Sequence, residues 1–148
     1  MKIIVNNRKA RHDYEIINTI ETGIVLLGSE VKSLRNGKAN LTDAYARIKT
    51  GELWLIGMHI SAYEKATDAN HDPLRDRKLL VSKMELKKLN RQIEEKGVTL
   101  VPLKLYFKNH LVKVEIALAR GKKKYDKRAA IAERDLKRDM ERSNKINY

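Results

Sequence analysis

The 148-residue chain has no cysteine at all. Disulfides, iron–sulfur clusters and thiolate zinc sites are therefore excluded, and a cytoplasmic protein fits. No apolar run approaches the ~20 residues of a membrane span, and no signal-peptide pattern opens the chain. Prolines number two and glycines seven, and no Walker-type loop, Gly-rich dinucleotide turn or nucleophile elbow is built from them. The four histidines, His12, His59, His71 and His110, show no metal-ligand spacing. An acid/base pair such as His12 with Glu30 is the one nuclease-like combination, and nothing in the sequence sets their distance. These absences argue against an enzyme and leave no cofactor to expect.

Acidic residues are also scarce. Nineteen Asp and Glu face 32 Lys and Arg, a formal charge of +13 with a pI near 9.9. Such an excess favours an anionic partner, nucleic acid first and an anionic membrane surface second. The charge is uneven. Residues 121–148 carry ten Lys/Arg against five Asp/Glu, whereas residues 1–120 carry 22 against 14. Charge density rises and apolar content falls after Gly121, so the chain divides there into a body, 1–120, and a basic tail, 121–148.

The body's periodicity is mostly that of short strands. Residues 6–13 are polar and basic and read as an arm. Residues 14–21 alternate as a strand, Thr22-Gly23 reads as a turn, and residues 24–27 as its hairpin partner. Alternation returns over 41–49, with Thr50-Gly51-Glu52 as a tight turn into an apolar strand at 53–60. Residues 61–78 form a long polar loop with a basic cluster at Arg75, Arg77 and Lys78. Ser82 and Glu85 form a capping box for a helix whose apolar face is Leu86, Leu89 and Ile93, ended by Gly97. A strand at 98–107 points Leu103, Leu105 and Phe107 inward, and Pro102 marks an edge or bulge. After an Asn109-His110 turn, Val112, Val114, Ile116 and Leu118 face the core from the last strand. About six short strands with two inserted helices predict a mainly β fold: a small closed antiparallel barrel of oligonucleotide-binding (OB-like) type. A meander sandwich is the alternative.

Residues 28–40 hold the other helix. Ser29 is placed to cap it, Glu30 suits the positive end of its dipole, and Gly37 stands where a left-handed C-cap belongs. Two turns do not hold themselves together in water, so Val31 and Leu34 must be docked while Lys32, Ser33 and Arg35 are presented outward. In the tail, Ala129, Ala132, Leu136 and Met140 make an apolar stripe. At ~25 cal/mol per Å² it does not offset an ordering cost of about 1–2 kcal/mol per residue. The tail is expected to be disordered when free and helical on a charged surface, and its apolar face is too thin for a membrane role. Tyr14 and Tyr45 sit at core-like strand positions, whereas Tyr125 lies among lysines, free to stack on a base.

Five stretches taken together are specific: Arg8-Lys9-Ala10-Arg11-His12-Asp13-Tyr14, then Gly28 through Arg35, Gly37-Lys38-Ala39-Asn40, Arg77-Lys78-Leu79-Leu80, and Gly121-Lys122-Lys123-Lys124-Tyr125-Asp126-Lys127-Arg128. In this order, over nearly the whole chain, they resemble the SsrA-binding protein family, the bacterial partner of transfer-messenger RNA. The resemblance implies an OB-type barrel that performs no catalysis. It implies a monomeric adaptor that binds the tRNA-like domain of transfer-messenger RNA and stands where a tRNA anticodon arm would. The complex would enter stalled ribosomes, and the tail would become helical in the empty mRNA channel beside the small-subunit decoding centre. Residue by residue, the resemblance marks Glu30, Lys32, Ser33 and Arg35 as an RNA-facing helix, extended by Lys38 and Asn40, with Arg11 and His12 contacting the same RNA. It marks Lys122, Lys123, Tyr125, Asp126, Lys127 and Arg128 as the decoding-centre segment. A general structured-RNA or ribosomal protein, and a metal-independent nuclease, are the competing readings.

Overall fold

The computed structural model describes residues 1–63, 70–94 and 97–121. The expected tail helix and its six candidate residues, Lys122 to Arg128, lie outside the described residues. Within them the chain runs β1 (Lys2–Asn6), α1 (Arg8–Asp13), β2 (Tyr14–Ile24), α2 (Gly28–Arg35), β3 (Ala39–Asn40), β4 (Tyr45–Lys49), β5 (Glu52–Ile56), β6 (His59–Ile60), β7 (Arg77–Leu80), α3 (Lys83–Ile93), β8 (Val98–Lys108) and β9 (Leu111–Gly121).

Seven strands share one antiparallel sheet in the order β1-β8-β4-β5-β7-β2-β9, and β8 also pairs with β9. The pairings of β8, β4, β5, β7, β2 and β9 therefore run full circle, as the sequence predicts for a mainly β barrel. The β4–β8 seam is the narrowest, a single bridge between Ala46 and Leu100. Two hairpins are set by left-handed turn residues. Thr50 and Gly51 have φ of 50° and 73°, and Asn109 and His110 have 51° and 66°. Two consecutive positive φ values make a turn whose twist matches that of the flanking strands.

The interior is filled by one face of each strand, including Leu53, Leu55, Leu79, Leu100, Leu105, Val114, Ile116 and Leu118. Helix α3 adds Leu89, with Leu86 and Ile93 beside it, and Ser82 caps it by accepting from the Glu85 N–H at 3.1 Å. A second, smaller cluster lies on the opposite face of β8 and β9, where Val101, Leu103, Ala117 and Ala119 pack against Ala10 of α1. The alanines let the short helix approach the sheet closely.

Four expectations are corrected. The arm at 6–13 is not extended but folds as α1, capped by Asn7, whose side chain accepts from the Ala10 N–H. Thr22-Gly23 is not a turn: β2 runs through it unbroken. The Thr22 hydroxyl donates to the Val114 carbonyl at 3.1 Å. A side chain at Gly23 would come within 3.2 Å of the Leu80 Cβ, so the glycine serves a close approach of β2 to β7. Leu103 does not share a face with Leu105, because a register shift between Pro102 and Lys104 reverses the alternation, as a bulge does. The strand expected over 53–60 breaks at Gly57, which has φ +82° and lies against the Asp43 carbonyl.

Candidate nucleic-acid interface

Helix α2 is held by Leu34 in the core and by polar contacts to residues 28 to 47 positions away. Its N-terminal amide, Leu27 N–H, donates to Glu30 Oε1 at 2.8 Å. The same carboxylate accepts from Arg75 at 2.6 Å and from Arg77 Nε at 2.5 Å. Arg77 spends its other donors on the Met58 carbonyl at 2.7 Å and the Pro73 carbonyl at 3.2 Å. Glu30 and Arg77 are both 0% exposed. Burial pushes the Glu30 carboxyl up, but Arg75, the Leu27 amide and Arg77 outweigh it and hold the carboxyl below the usual carboxylate range. Burial likewise draws the Arg77 guanidinium down, and Glu30 opposes that shift.

Two further contacts complete the docking. His71 Nε2 donates to the Ile60 carbonyl at 2.9 Å, which leaves Nδ1 to accept from the Ser29 hydroxyl at 2.8 Å. The Ser33 hydroxyl donates to the Ser61 carbonyl at 2.7 Å. The helix ends in a Schellman arrangement: Lys38 N–H donates to Ser33 O and Gly37 N–H to Leu34 O, with Gly37 at φ +68°. The chain then enters β3, where Asn40 pairs with His59 of β6.

The expected assignments divide accordingly. Glu30 and Ser33 do not face outward; both are buried, and Ser29 bonds His71 instead of capping the helix. The energetic reason is that a buried carboxylate needs cationic and N–H partners; the loop before β7 supplies Arg75 and the first residue of β7 supplies Arg77. Lys32, Arg35, Lys38 and Asn40 are exposed, and the structure brings them together along α2 and its exit. The Lys32 ammonium also lies 5.5 Å from the centre of the Tyr63 ring. Arg11 and His12 are exposed on a second element, the last turn of α1, where Arg11 reaches Glu115 at 3.5 Å and His12 reaches Asp13 at 3.1 Å. Asn7 links the two regions. Its side-chain amide donates to the Leu41 and Pro102 carbonyls at 3.1 and 2.9 Å, so α1 starts on the chain that leaves α2.

No local sequence pattern singles out Asn7, Tyr63, His71, Arg75 or Arg77 for these contacts. The cluster Arg75, Arg77 and Lys78 was visible as charge, but a charge run does not say which of its members is buried. Among the described residues no group of three or more His, Cys, Asp or Glu side chains is placed to hold a metal ion, and no helix is long and apolar enough to cross a membrane. The result is a helix locked from beneath and presenting cations above, an arrangement suited to phosphate.

A family model described as SmpB protein matches residues 4–146. The chain belongs to the SmpB family. Among curated members, the SsrA-binding protein of Acetivibrio thermocellus is 56% identical over 147 residues, covering 99% of this chain and 96% of that one. The SsrA-binding protein of Thermosynechococcus vestitus is 57% identical over 146 residues, covering 98% and 96%. A solved SmpB structure, described as "tmRNA-SmpB: a journey to the center of the bacterial ribosome", superposes with a TM-score of 0.68 at 55% identity, over 80% of this chain and 83% of that one. Membership covers the barrel, α2 and the basic tail sequence alike.

Proposed function

We propose that this SmpB protein is a non-catalytic RNA-binding adaptor that binds the tRNA-like domain of transfer-messenger RNA and delivers it to stalled ribosomes. The observation that carries the reading is the build of α2. Three buried polar side chains, Ser29, Glu30 and Ser33, pin it to the body, so that Lys32, Arg35, Lys38 and Asn40 are held outward on a rigid support. Phosphate contacts position an RNA, and cations on an already fixed backbone make them at a lower ordering cost. Membership of a family whose curated members are SsrA-binding proteins supports the choice of RNA. The net charge of +13 supports fast, salt-sensitive association.

Arg11 and His12 on α1 extend the same RNA footprint. The tail, through Lys122, Lys123, Tyr125, Asp126, Lys127 and Arg128, engages the decoding centre and the empty mRNA channel. The protein acts as a monomer in the cytoplasm, where stalled ribosomes are. The test is co-purification of the full chain from bacterial lysate followed by sequencing of the bound RNA. Enrichment of transfer-messenger RNA over bulk tRNA is expected; recovery of the two in proportion to their abundance would reject the reading.

A further inference from the structure

Between α1 and the start of β4 lies a cleft of about 390 Å³, within the size range of small-ligand sites. Its lining is mixed: the buried Ala10, Ala44 and Val101 lie beside Thr42 and Thr99, and Tyr14 joins Tyr45. Tyr45 stands on its wall and is 41% exposed. That reverses the core-like placement its strand position suggests, because β4 turns Ala46 inward and Tyr45 out. Asp13 also lines the cleft; its carboxylate is two-thirds shielded from solvent and is held through Oδ1 by His12. At the rim, Lys9 reaches Asp43 at 3.4 Å, and both are largely exposed. An ion pair of this kind is weak, so Lys9 is free to turn to an incoming phosphate.

We propose that this cleft takes one unstacked guanine of the bound RNA, stacked on Tyr45, with its N1–H and N2–H donating to Asp13 and its phosphate on Lys9. The proposal rests on the RNA-adaptor reading above. Four points carry it. Unstacked bases are recognised by stacking on aromatic rings and by hydrogen bonds to their Watson–Crick edge. A carboxylate only accepts, and guanine is the base that offers two adjacent N–H donors to one carboxylate. A mixed lining with an exposed ring suits a flat ligand with a polar edge. The cleft also adjoins the candidate interface: Thr42 lines it, and the Thr42 N–H donates to Asn40 Oδ1 at 2.8 Å.

The test uses the full chain, labelled with ¹⁵N, titrated with guanosine, inosine and adenosine 5′-monophosphates, together with RNA affinities of three variants. Guanosine monophosphate is expected to move the amide signals of Asp13, Ala44, Tyr45 and Val101. Inosine monophosphate, which lacks the N2 amine, is expected to bind several-fold more weakly, and adenosine monophosphate weaker still. Tyr45→Ala is expected to lower affinity for the tRNA-like domain about tenfold while Tyr45→Phe retains it. Asp13→Asn is expected to abolish the preference for guanine over adenine. Equal shifts with adenosine monophosphate, or shifts elsewhere on the surface, would overturn the assignment. Unchanged RNA affinity in Tyr45→Ala with a wild-type circular dichroism spectrum would also overturn it, while leaving the adaptor reading intact. A wild-type protein with no preference for the tRNA-like domain would overturn that reading and the RNA source of the guanine with it.

Discussion

Glu30 and Arg77 form an ion pair at 2.5 Å in which neither side chain reaches solvent. The pair joins α2 to β7 across 47 residues of chain. A helix of eight residues has too few internal hydrogen bonds to persist alone, so this pair, with Arg75, fixes where the exposed cations stand.

Glu30→Ala leaves Arg77 charged and buried without its partner. Such losses cost about 3–5 kcal/mol, so the variant should unfold at clearly lower urea concentration than wild type. Arg35→Ala, at an exposed position, should not. Any loss of RNA binding in Glu30→Ala is then expected to be a folding effect, and denaturation midpoints of the two variants separate the causes.

The Glu30 carboxyl is depressed in the folded protein. A group depressed on folding contributes stability that is present above its unfolded pKa of about 4.3 and lost as pH falls through the folded value. Stability should be flat with respect to this group at neutral pH and fall on acidification below the usual carboxylate range. In Glu30→Gln that portion of the acid-induced loss should vanish, as chemical denaturation at a series of pH values will show.

Gly57→Ala places a Cβ at φ +82° and 3.1 Å from the Asp43 carbonyl. The left-handed backbone alone costs about 1–2 kcal/mol in a non-glycine residue. Residue 57 also precedes Met58, whose carbonyl accepts from Arg77. The variant should lose at least that much stability, and chemical shifts in α2 should move although the helix is far away in sequence.

Deleting residues 121–148 should leave the affinity for the tRNA-like domain within a few-fold of wild type while delivery of transfer-messenger RNA to stalled ribosomes is lost. A deletion that abolished RNA binding would assign the tail to the RNA rather than to the ribosome.

How much of this was legible in the chain depended on the range of the contacts. Helix α3 was legible because its cap and its apolar stripe are both local, and the β8–β9 hairpin because Asn109-His110 separates two alternating runs. Gly23 misled, since a glycine marks a close approach as readily as a turn. The arm hid α1: its cap, Asn7, is local, but six helical residues do not persist alone, and what anchors them is the bonding of Asn7 to the Leu41 and Pro102 carbonyls. The outward face of α2 was legible as charge. Its inward face was not: a glutamate at the start of a helix looks like a dipole partner until two arginines from residues 75 and 77 arrive. Long-range burial of a polar group leaves no local signature.

Lys32, Arg35 and Lys38, held out by the buried Glu30 pair, are the proposed contact with transfer-messenger RNA. The most direct measurement is equilibrium binding of the labelled tRNA-like domain, across a range of salt, by wild type and by the Lys32→Ala/Arg35→Ala/Lys38→Ala variant, with excess bulk tRNA as competitor. Wild type is expected to keep the tRNA-like domain against bulk tRNA. The variant is expected to bind much more weakly, with a log–log salt slope reduced by about one per phosphate contact removed. Equal competition by bulk tRNA, or a folded triple variant with wild-type affinity and salt slope, would contradict the proposed contact.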